Sequence, residues 1–123
     1  MYENLDLMRT SAALARHAGA QQAVVAGNIA NADTPGFRAR SLPAFAAELA
    51  RAAPLRQTRP GHVSIGPSGS PTAVQTNAEP SPDGNSVSIE REMLASVEAQ
   101  REHSRALSIW RHTMSVIRTS LGR

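Results

Sequence analysis

The chain of 123 residues has no cysteine, no lysine and only four aromatic residues: Tyr2, Phe37, Phe45 and Trp110. The lack of cysteine excludes disulfide bonds, thiolate catalysis and zinc sites with cysteine ligands. Leu, Ile, Val and Phe together number 23, just under a fifth of the chain, which is little for a stable core. We therefore expect no deep enzyme pocket. The composition favours a chain that folds fully only when a partner supplies apolar surface.

The basic residues are 13 arginines, and they set an isoelectric point of about 11.0 although the net charge is only +3. Because no lysine is present to titrate near its usual pKa of about 10.4, the isoelectric point rises without a large charge. The high isoelectric point therefore gives little support to nucleic-acid binding. The small net charge also argues against a wholly disordered chain.

Long apolar runs are missing as well. Glu3 and Asp6 stand where a secretory signal peptide carries positive charge. The runs Ala12–Ala15 and Ala23–Ala26 are too short for the core of a signal peptide or for a membrane span. The sequence therefore predicts neither a Sec substrate nor a membrane protein.

Proline content and helical periodicity divide the chain into four segments. Residues 1–37 contain a helix that ends near residue 31 in a turn, and residues 38–52 contain a short helix. Residues 53–87 hold six of the eight prolines and half of the glycines, which is typical of a loop or arm. Residues 88–123 form a long helix that pairs with the first one. The predicted fold is all-α: an elongated, antiparallel, coiled-coil-like pair of N- and C-terminal helices around a short helix and an irregular middle.

Local signals refine two of these segments. In the middle, the runs His62–Ile65 and Thr72–Gln75 are candidate strands of a hairpin. At the start of the last helix, Ser88 is the expected N-cap. Gly122 stands where the C-terminal cap of that helix is expected.

Steps of four and three residues between apolar or small positions place one stripe on each long helix. The stripe on the first helix is rich in alanine, so a facing helix can approach closely but buries little area. A neighbouring stripe on the same helix includes Ser11, Ala18 and Val25. The residues expected at the helix–helix interface are Leu5, Met8, Ala12, Ala15 and Ile29 in the first helix and Ile89, Met93, Leu107, Trp110, Met114, Ile117 and Leu121 in the last.

Groups that could carry catalysis or hold a metal are few. His103 and His112 lie nine residues apart on one helix, about 180° around it, so they cannot share a metal. His17 and His62 have no acid or second histidine at ligand spacing. No phosphate-binding glycine pattern is present, and the loop around Ser68 lacks the strand and helix of a nucleophile elbow. We predict no catalytic residue, no metal site and no cofactor; a small hydrolase using His62 and Ser68 is a minor alternative.

An arginine-rich coiled coil that binds nucleic acid is the main alternative function. Most arginines of the last helix lie opposite its apolar stripe. Glu98 and Glu102 alternate with them at ion-pair spacing, whereas a surface that follows phosphates would not place carboxylates among its cations. The pattern favours an ordinary solvated face. The arginines concerned are Arg91, Arg101, Arg105, Arg111 and Arg118.

The most distinctive segment follows the first helix. Pro35 ends the helix because the residue before a proline is pushed out of the α region, and Gly36 is expected to supply a positive φ. Phe37 is then expected to point back at the helix pair. The asparagine and aspartate side chains are expected to bond the unpaired backbone groups at the helix end. The predicted assembly motif comprises Asn28, Asn31, Asp33, Thr34, Pro35, Gly36 and Phe37.

Residues 28–37 resemble the NIANADTPGY signature that rod and hook subunits of the bacterial flagellar axial family share, with Phe37 in place of the usual tyrosine. The short length, residues 83–87 leading to Glu90–Met93, and the ending 117–123 are similar to the proximal-rod subunits of that family. The resemblance covers both terminal helices, more than half of the chain. Residues 100–103 depart from the family pattern, which tends to carry an aromatic–Gln pair there.

The resemblance implies a structural subunit without enzymatic activity. It implies helical assembly through the terminal helices into the proximal rod, the drive shaft and export-channel wall next to the MS ring. The implied partners are copies of the chain itself, other rod subunits, the rod-base adaptor, the MS-ring protein and the flagellar type III export apparatus. Nucleic acid and small-molecule substrates are not implied. The implied location is the flagellar basal body, reached through that apparatus without a cleaved signal peptide.

Overall fold

The computed structural model describes residues 2–51 and 71–122, with side chains for residues 6–51 and 71–122. Two long helices contact each other along their length, while the remaining elements are short. This confirms the predicted all-α fold with a short helix and little strand. The elements in chain order are α1 (Tyr2–Ala30), β1 (Arg40–Ser41), α2 (Phe45–Arg51), β2 (Val74–Gln75) and α3 (Ile89–Ser120).

The helices α1 and α3 run antiparallel, as predicted. Asn85, just before α3, bonds the backbone of residues 31–34, just after α1. Halfway along the pair, His103 Nδ1 lies 3.3 Å from the carbonyl oxygen of Ala15. A helix of 32 residues is about 48 Å long at 1.5 Å per residue, so the pair is elongated.

Small residues line the contact between the two helices. Ala18, Ala99 and Ala106 have no exposed surface at all. A repeat of seven residues keeps one stripe of each helix against its partner, and alanine lets the two backbones approach closely. Such a seam buries little apolar area, so the pair gains little stability from it. The buried residues at this spacing are Ser11, Ala18 and Val25 on α1 and Ala99, Ala106 and Thr113 on α3.

The residues predicted to form the interface mostly flank this seam. On α1 the buried residues belong to the neighbouring stripe. On α3 the buried Ala106 and Thr113 each come one residue before a predicted interface position, Leu107 and Met114. Only small side chains fit at the centre of a close contact, so the larger ones lie beside it. The side chain of Leu5 lies outside the described residues. Met8, Ala12, Ala15, Leu107, Met114 and Ile117 are half-buried, whereas Ile29, Ile89, Met93, Trp110 and Leu121 are exposed.

The two ends of α3 agree with the sequence to different degrees. Gly122 follows the helix with a φ of 72°, and its N–H donates to the carbonyl oxygen of Thr119 at 3.2 Å, as expected of a C-terminal glycine. Ser88 occupies the N-cap position, but its side chain makes no capping hydrogen bond. Its contribution is the backbone carbonyl oxygen, which accepts the N–H of Glu92 at 3.0 Å.

The short elements pack against α1. His17 is buried in α1; its Nε2 donates to the carbonyl oxygen of Pro43 at 2.8 Å, and its ring meets that of Phe45 edge to face at 5.6 Å. The strands β1 and β2 pair antiparallel, with Arg40 opposite Gln75. The observed partner of the predicted strand 72–75 is therefore β1, and His62–Ile65 lies outside the described residues.

Candidate assembly site at the helix ends

Two segments far apart in sequence meet where α1 ends and α3 begins. They are residues 31–37 and residues 81–87, and we call them together the junction. Backbone bonds join them: the Gly36 N–H donates to the carbonyl oxygen of Asp83 at 3.0 Å, and the Ser86 N–H donates to that of Phe37 at 3.0 Å. The hydroxyl of Ser86 also accepts the N–H of Ala39 at 2.9 Å. The junction therefore fixes the ends of both long helices to one another.

Asn85 lies at the centre of the junction and is only 3% exposed. Its Nδ2 is 2.7 Å from the carbonyl oxygen of Ala32 and 3.0 Å from those of Asn31 and Thr34. Carbonyl groups at the C-terminal end of a helix have no partner within the helix. Asn85 supplies that partner from a distant segment, while its Oδ1 accepts the N–H of Val87 at 2.8 Å.

Asn28 is buried in the last turn of α1, with 1% of its surface exposed. Its Nδ2 donates to the carbonyl oxygen of Arg40 at 2.7 Å, and its Oδ1 accepts the Arg40 N–H at 3.0 Å. This differs from the expectation that Asn28 bonds the helix end. The buried amide of Asn28 satisfies both the N–H and the carbonyl oxygen of this strand residue. Asn28 therefore positions β1 against α1.

The other polar residues of the motif have different partners. Asn31 behaves as predicted, because its Nδ2 donates to the helix-end carbonyl oxygen of Gly27 at 2.8 Å. The hydroxyl of Thr34 lies 3.3 Å from Asn31 Oδ1. Asp33 is exposed, and the described part of the chain offers its side chain no hydrogen bond; its predicted role at the helix end is not seen.

Two glycines allow the segments of the junction to touch. Gly36 has a φ of 72°, which confirms the predicted positive value, and Gly84 has a φ of 82°. A Cβ on Gly84 would lie 3.3 Å from the Cα of Gly36. Side chains rarely adopt this backbone region, and here the opposite backbone also leaves little room for one.

Phe37 lies against α1, one of the two helices towards which it is expected to point. It is half-buried there and forms one wall of an open groove of about 360 Å³. We call this the α1 groove. Its lining consists of Ala23, Val24, Gly27, Asn28, Asn31, Phe37, Arg40 and Ala73.

Sequence reasoning did not identify the side-chain roles of Asn85 and Ser86. In the sequence, residues 83–87 are distinctive only by their resemblance to rod subunits. The sequence does carry a local turn signal, the aspartate–glycine pair at residues 83 and 84. In the structure the Asn85 N–H donates to Asp83 Oδ1 at 3.0 Å, which is typical of such a turn. That signal predicts a turn but not the distant carbonyl groups that Asn85 binds.

Within residues 6–51 and 71–122, no cluster of three or more His, Asp or Glu side chains is arranged to hold a metal ion. Over the same ranges, no helix combines the length and apolar character needed to cross a membrane. His62 and Ser68, the residues of the hydrolase alternative, lie outside the described residues.

Comparisons with known proteins point to one family. The family model described as flagella basal body rod protein matches residues 8–38, which include the motif at the end of α1. The flagellar basal body rod protein FlgB of Escherichia coli (strain K12) is 34% identical over 101 residues, covering 72% of this chain and 72% of the relative. The FlgB protein of Shigella flexneri matches to the same extent. Nothing in these relatives supports the nucleic-acid-binding alternative.

Proposed function

Because the chain belongs to the flagellar basal body rod protein family, we propose that it is a structural subunit of the proximal rod and assembles helically through α1 and α3. In this proposal residues 1–37 and 88–123 are the assembly element. Residues 38–52 form a short helix, and residues 53–87 form a loop or arm. The chain carries out no chemical reaction.

The observation that carries this proposal is the large apolar surface left on the two long helices. A chain with so few large apolar residues is expected to bury them, yet many of them are 39–67% exposed. Exposed apolar patches of this kind are typical of surfaces that bind other proteins. The exposed residues on the long helices are Leu7, Ile29, Ile89, Met93, Leu94, Val97, Trp110 and Val116, and Leu121 follows directly after α3.

The proposal also names neighbours and a route. The neighbours are copies of this chain, other rod subunits, the rod-base adaptor and the MS-ring protein. The route is the flagellar type III export apparatus, without a cleaved signal peptide. Its physical support is the thin core: a chain whose buried apolar residues are mainly alanine unfolds readily for passage and gains stability on assembly.

The test is deletion and complementation in the source bacterium. We expect the deletion strain to be non-motile and its basal bodies to stop at the MS ring. A plasmid copy should restore both, and the chain should be found in purified basal bodies. A motile deletion strain, or basal bodies without this chain in the wild type, would contradict the proposed function.

A further inference from the structure

Two surfaces on opposite sides of the helix pair complement each other, and we propose that they bind head to tail between neighbouring copies of this chain. One is the α1 groove. The other consists of Met93, Leu94 and Val97, and we call it the α3 ridge. The inference rests on the proposed function as a rod subunit and names the contact through which like subunits join.

The α3 ridge projects from α3 on the side away from α1. Val97 lies two residues before Ala99, a residue of the buried seam. Val97 is therefore about 200° around the helix from that seam. Met93 and Leu94 lie one turn earlier on the same side and are 61% and 62% exposed; Val97 is 47% exposed. Three large apolar side chains thus form a protruding patch that the subunit itself does not cover within the described residues.

The α1 groove lies on the side of α1 away from α3. Gly27 is nine residues after the buried Ala18, about 180° around the helix. Ala23 and Gly27 are exposed, and a Cβ added to Gly27 would meet no atom within 4 Å. Small residues on the floor and Phe37 on the wall make an open recess, partly polar through Asn28, Asn31 and Arg40, that can receive side chains such as methionine and leucine.

The two surfaces lie at nearly the same height along the helix pair. His103 lies beside Ala15, and the two helices are antiparallel. Each residue that is closer to the start of α3 is therefore level with a residue that is equally closer to the end of α1. By this register Leu94 is level with Val24, which lines the α1 groove. Two copies placed side by side with little axial shift therefore bring the α3 ridge of one to the α1 groove of the other.

Charge favours the same arrangement. Arg40 lines the α1 groove next to Asn28, and by the register above Glu90 of α3 is level with residue 28. The side-by-side arrangement thus places the exposed Glu90 carboxylate of one copy near the Arg40 guanidinium of its neighbour. Arg101, at the other end of the α3 ridge, is level with residue 17 and lies beyond the groove.

A contact between two different patches repeats from copy to copy. Such a heterologous interface builds an open helix whenever its rotation does not close a ring. The ridge-and-groove contact therefore suits a helical stack of like subunits better than a two-fold dimer, which would require one patch to bind itself.

Cysteine cross-linking tests the contact directly, because the chain has no cysteine of its own. Ala23→Cys and Leu94→Cys are combined in one chain, where the two thiols lie on opposite faces of the helix pair and cannot bridge internally. The matched control combines Ala23→Cys with Ser108→Cys, which is exposed and lies two heptads from Leu94, about 21 Å along α3. Each single variant is oxidised in parallel.

In basal bodies from complemented cells, we expect disulfide-linked multimers of this chain, several-fold more abundant for the first pair than for the control. The contact is refuted if the variant chain is present in basal bodies but the first cysteine pair cross-links no better than the control pair. That result is expected if other residues of the chain or another rod protein fill the groove. Equal linking by a single variant refutes it too, because one patch would then bind itself. If the wild-type chain is absent from basal bodies, the proposed function fails instead.

Two further variants probe the contact without cysteines. Gly27→Leu should fill the groove and raise helix propensity, so we expect an unchanged or higher helical signal but fewer rods and reduced motility. Arg40→Glu and Glu90→Arg should each reduce motility, and the double variant should restore it, since the contact with Asn28 uses only the backbone of Arg40. Wild-type rod assembly by Gly27→Leu, or no restoration in the double variant, would overturn the contact.

Discussion

The side-chain amide of Asn28 pairs with both backbone polar groups of Arg40, donating to the carbonyl oxygen at 2.7 Å and accepting the N–H at 3.0 Å. Only a side chain with a donor and an acceptor side by side can satisfy this backbone. Because Asn28 is 1% exposed, water cannot replace either bond. The pairing therefore couples the last turn of α1 to β1. The path of the chain between α1 and β1 thus depends on Asn28.

Asn28→Asp should lower the free energy of unfolding more than Asn28→Ala at neutral pH. Alanine leaves both Arg40 backbone groups unpaired, at a cost of about 1–3 kcal/mol. Aspartate keeps an acceptor for the Arg40 N–H, but it buries a charge that repels the Arg40 carbonyl oxygen, and this costs more. Thermal unfolding followed by circular dichroism measures the difference between the two variants. The buffer contains sucrose, because sucrose favours the compact state of a chain with a thin core.

The penalty of Asn28→Asp should also depend on pH. Burial raises the pKa of the introduced carboxyl in the folded state, and its protonated form can donate to the carbonyl oxygen. Stability is then retained below the unfolded pKa of about 3.9 and lost as pH rises through the folded value. Gln22→Glu, at an exposed position of α1, is the control and should show little effect. Equal penalties for Asn28→Asp and the control would show that the pairing is unimportant.

Gly84→Ala should destabilise the chain more than Gly36→Ala. Both glycines have positive φ, which costs an alanine on the order of 1 kcal/mol or more, but only Gly84 also faces backbone at 3.3 Å. Gly36→Val should cost about 1–3 kcal/mol for the same reason of backbone strain. Gly19→Ala, inside α1 with open space around it, should raise the unfolding midpoint. If Gly84→Ala and Gly19→Ala shift the midpoint in the same direction, the close approach within the junction is wrong.

Ala106→Leu should separate the two long helices. Ala106 has no exposed surface at the centre of the seam, and an inserted larger side chain typically costs about 1–3 kcal/mol. Ala26→Leu places the same side chain at an exposed position of α1 and should change the midpoint little. A seam centred on the predicted positions Leu107 and Met114 would instead tolerate Ala106→Leu as well as Ala26→Leu.

Trp110→Ala should affect assembly more than the stability of the single chain. Trp110 is 39% exposed, so its truncation removes surface that a neighbour can cover, and exposed aromatic residues often dominate such interfaces. We expect fewer complete rods and reduced motility, with normal export of the variant chain. Full rods and normal motility in the Trp110→Ala strain would remove Trp110 from the assembly surface.

The sequence predicted the elements well because their signals are local. Helical periodicity extends through α1 and α3, Pro35 stops the first helix, and Gly36 and Gly122 have the positive φ expected of them. Each of these features is decided by residues within one or two turns. The resemblance of residues 28–37 to rod subunits then indicated the family before any contact was known.

The sequence could not place the seam or the junction. A periodic pattern allows two neighbouring stripes, and close packing selects the one with Ala18 and Ala106, while composition draws attention to the larger side chains beside it. Asn85 binds carbonyl groups more than fifty residues away, so no local pattern identifies its partners. The α1 groove likewise combines residues of α1 and of the segment that follows it with the distant Ala73.

Hydrogen exchange of α1 and α3 tests the central claim most directly, namely that neighbouring subunits complete the fold of this chain. The comparison is between the isolated monomer and the same chain in purified basal bodies, followed peptide by peptide with mass spectrometry. We predict fast exchange along both helices in the monomer and strong protection in the basal body, because the seam alone buries mainly alanine. A monomer that protects α1 and α3 as well as the assembled chain does would contradict the account.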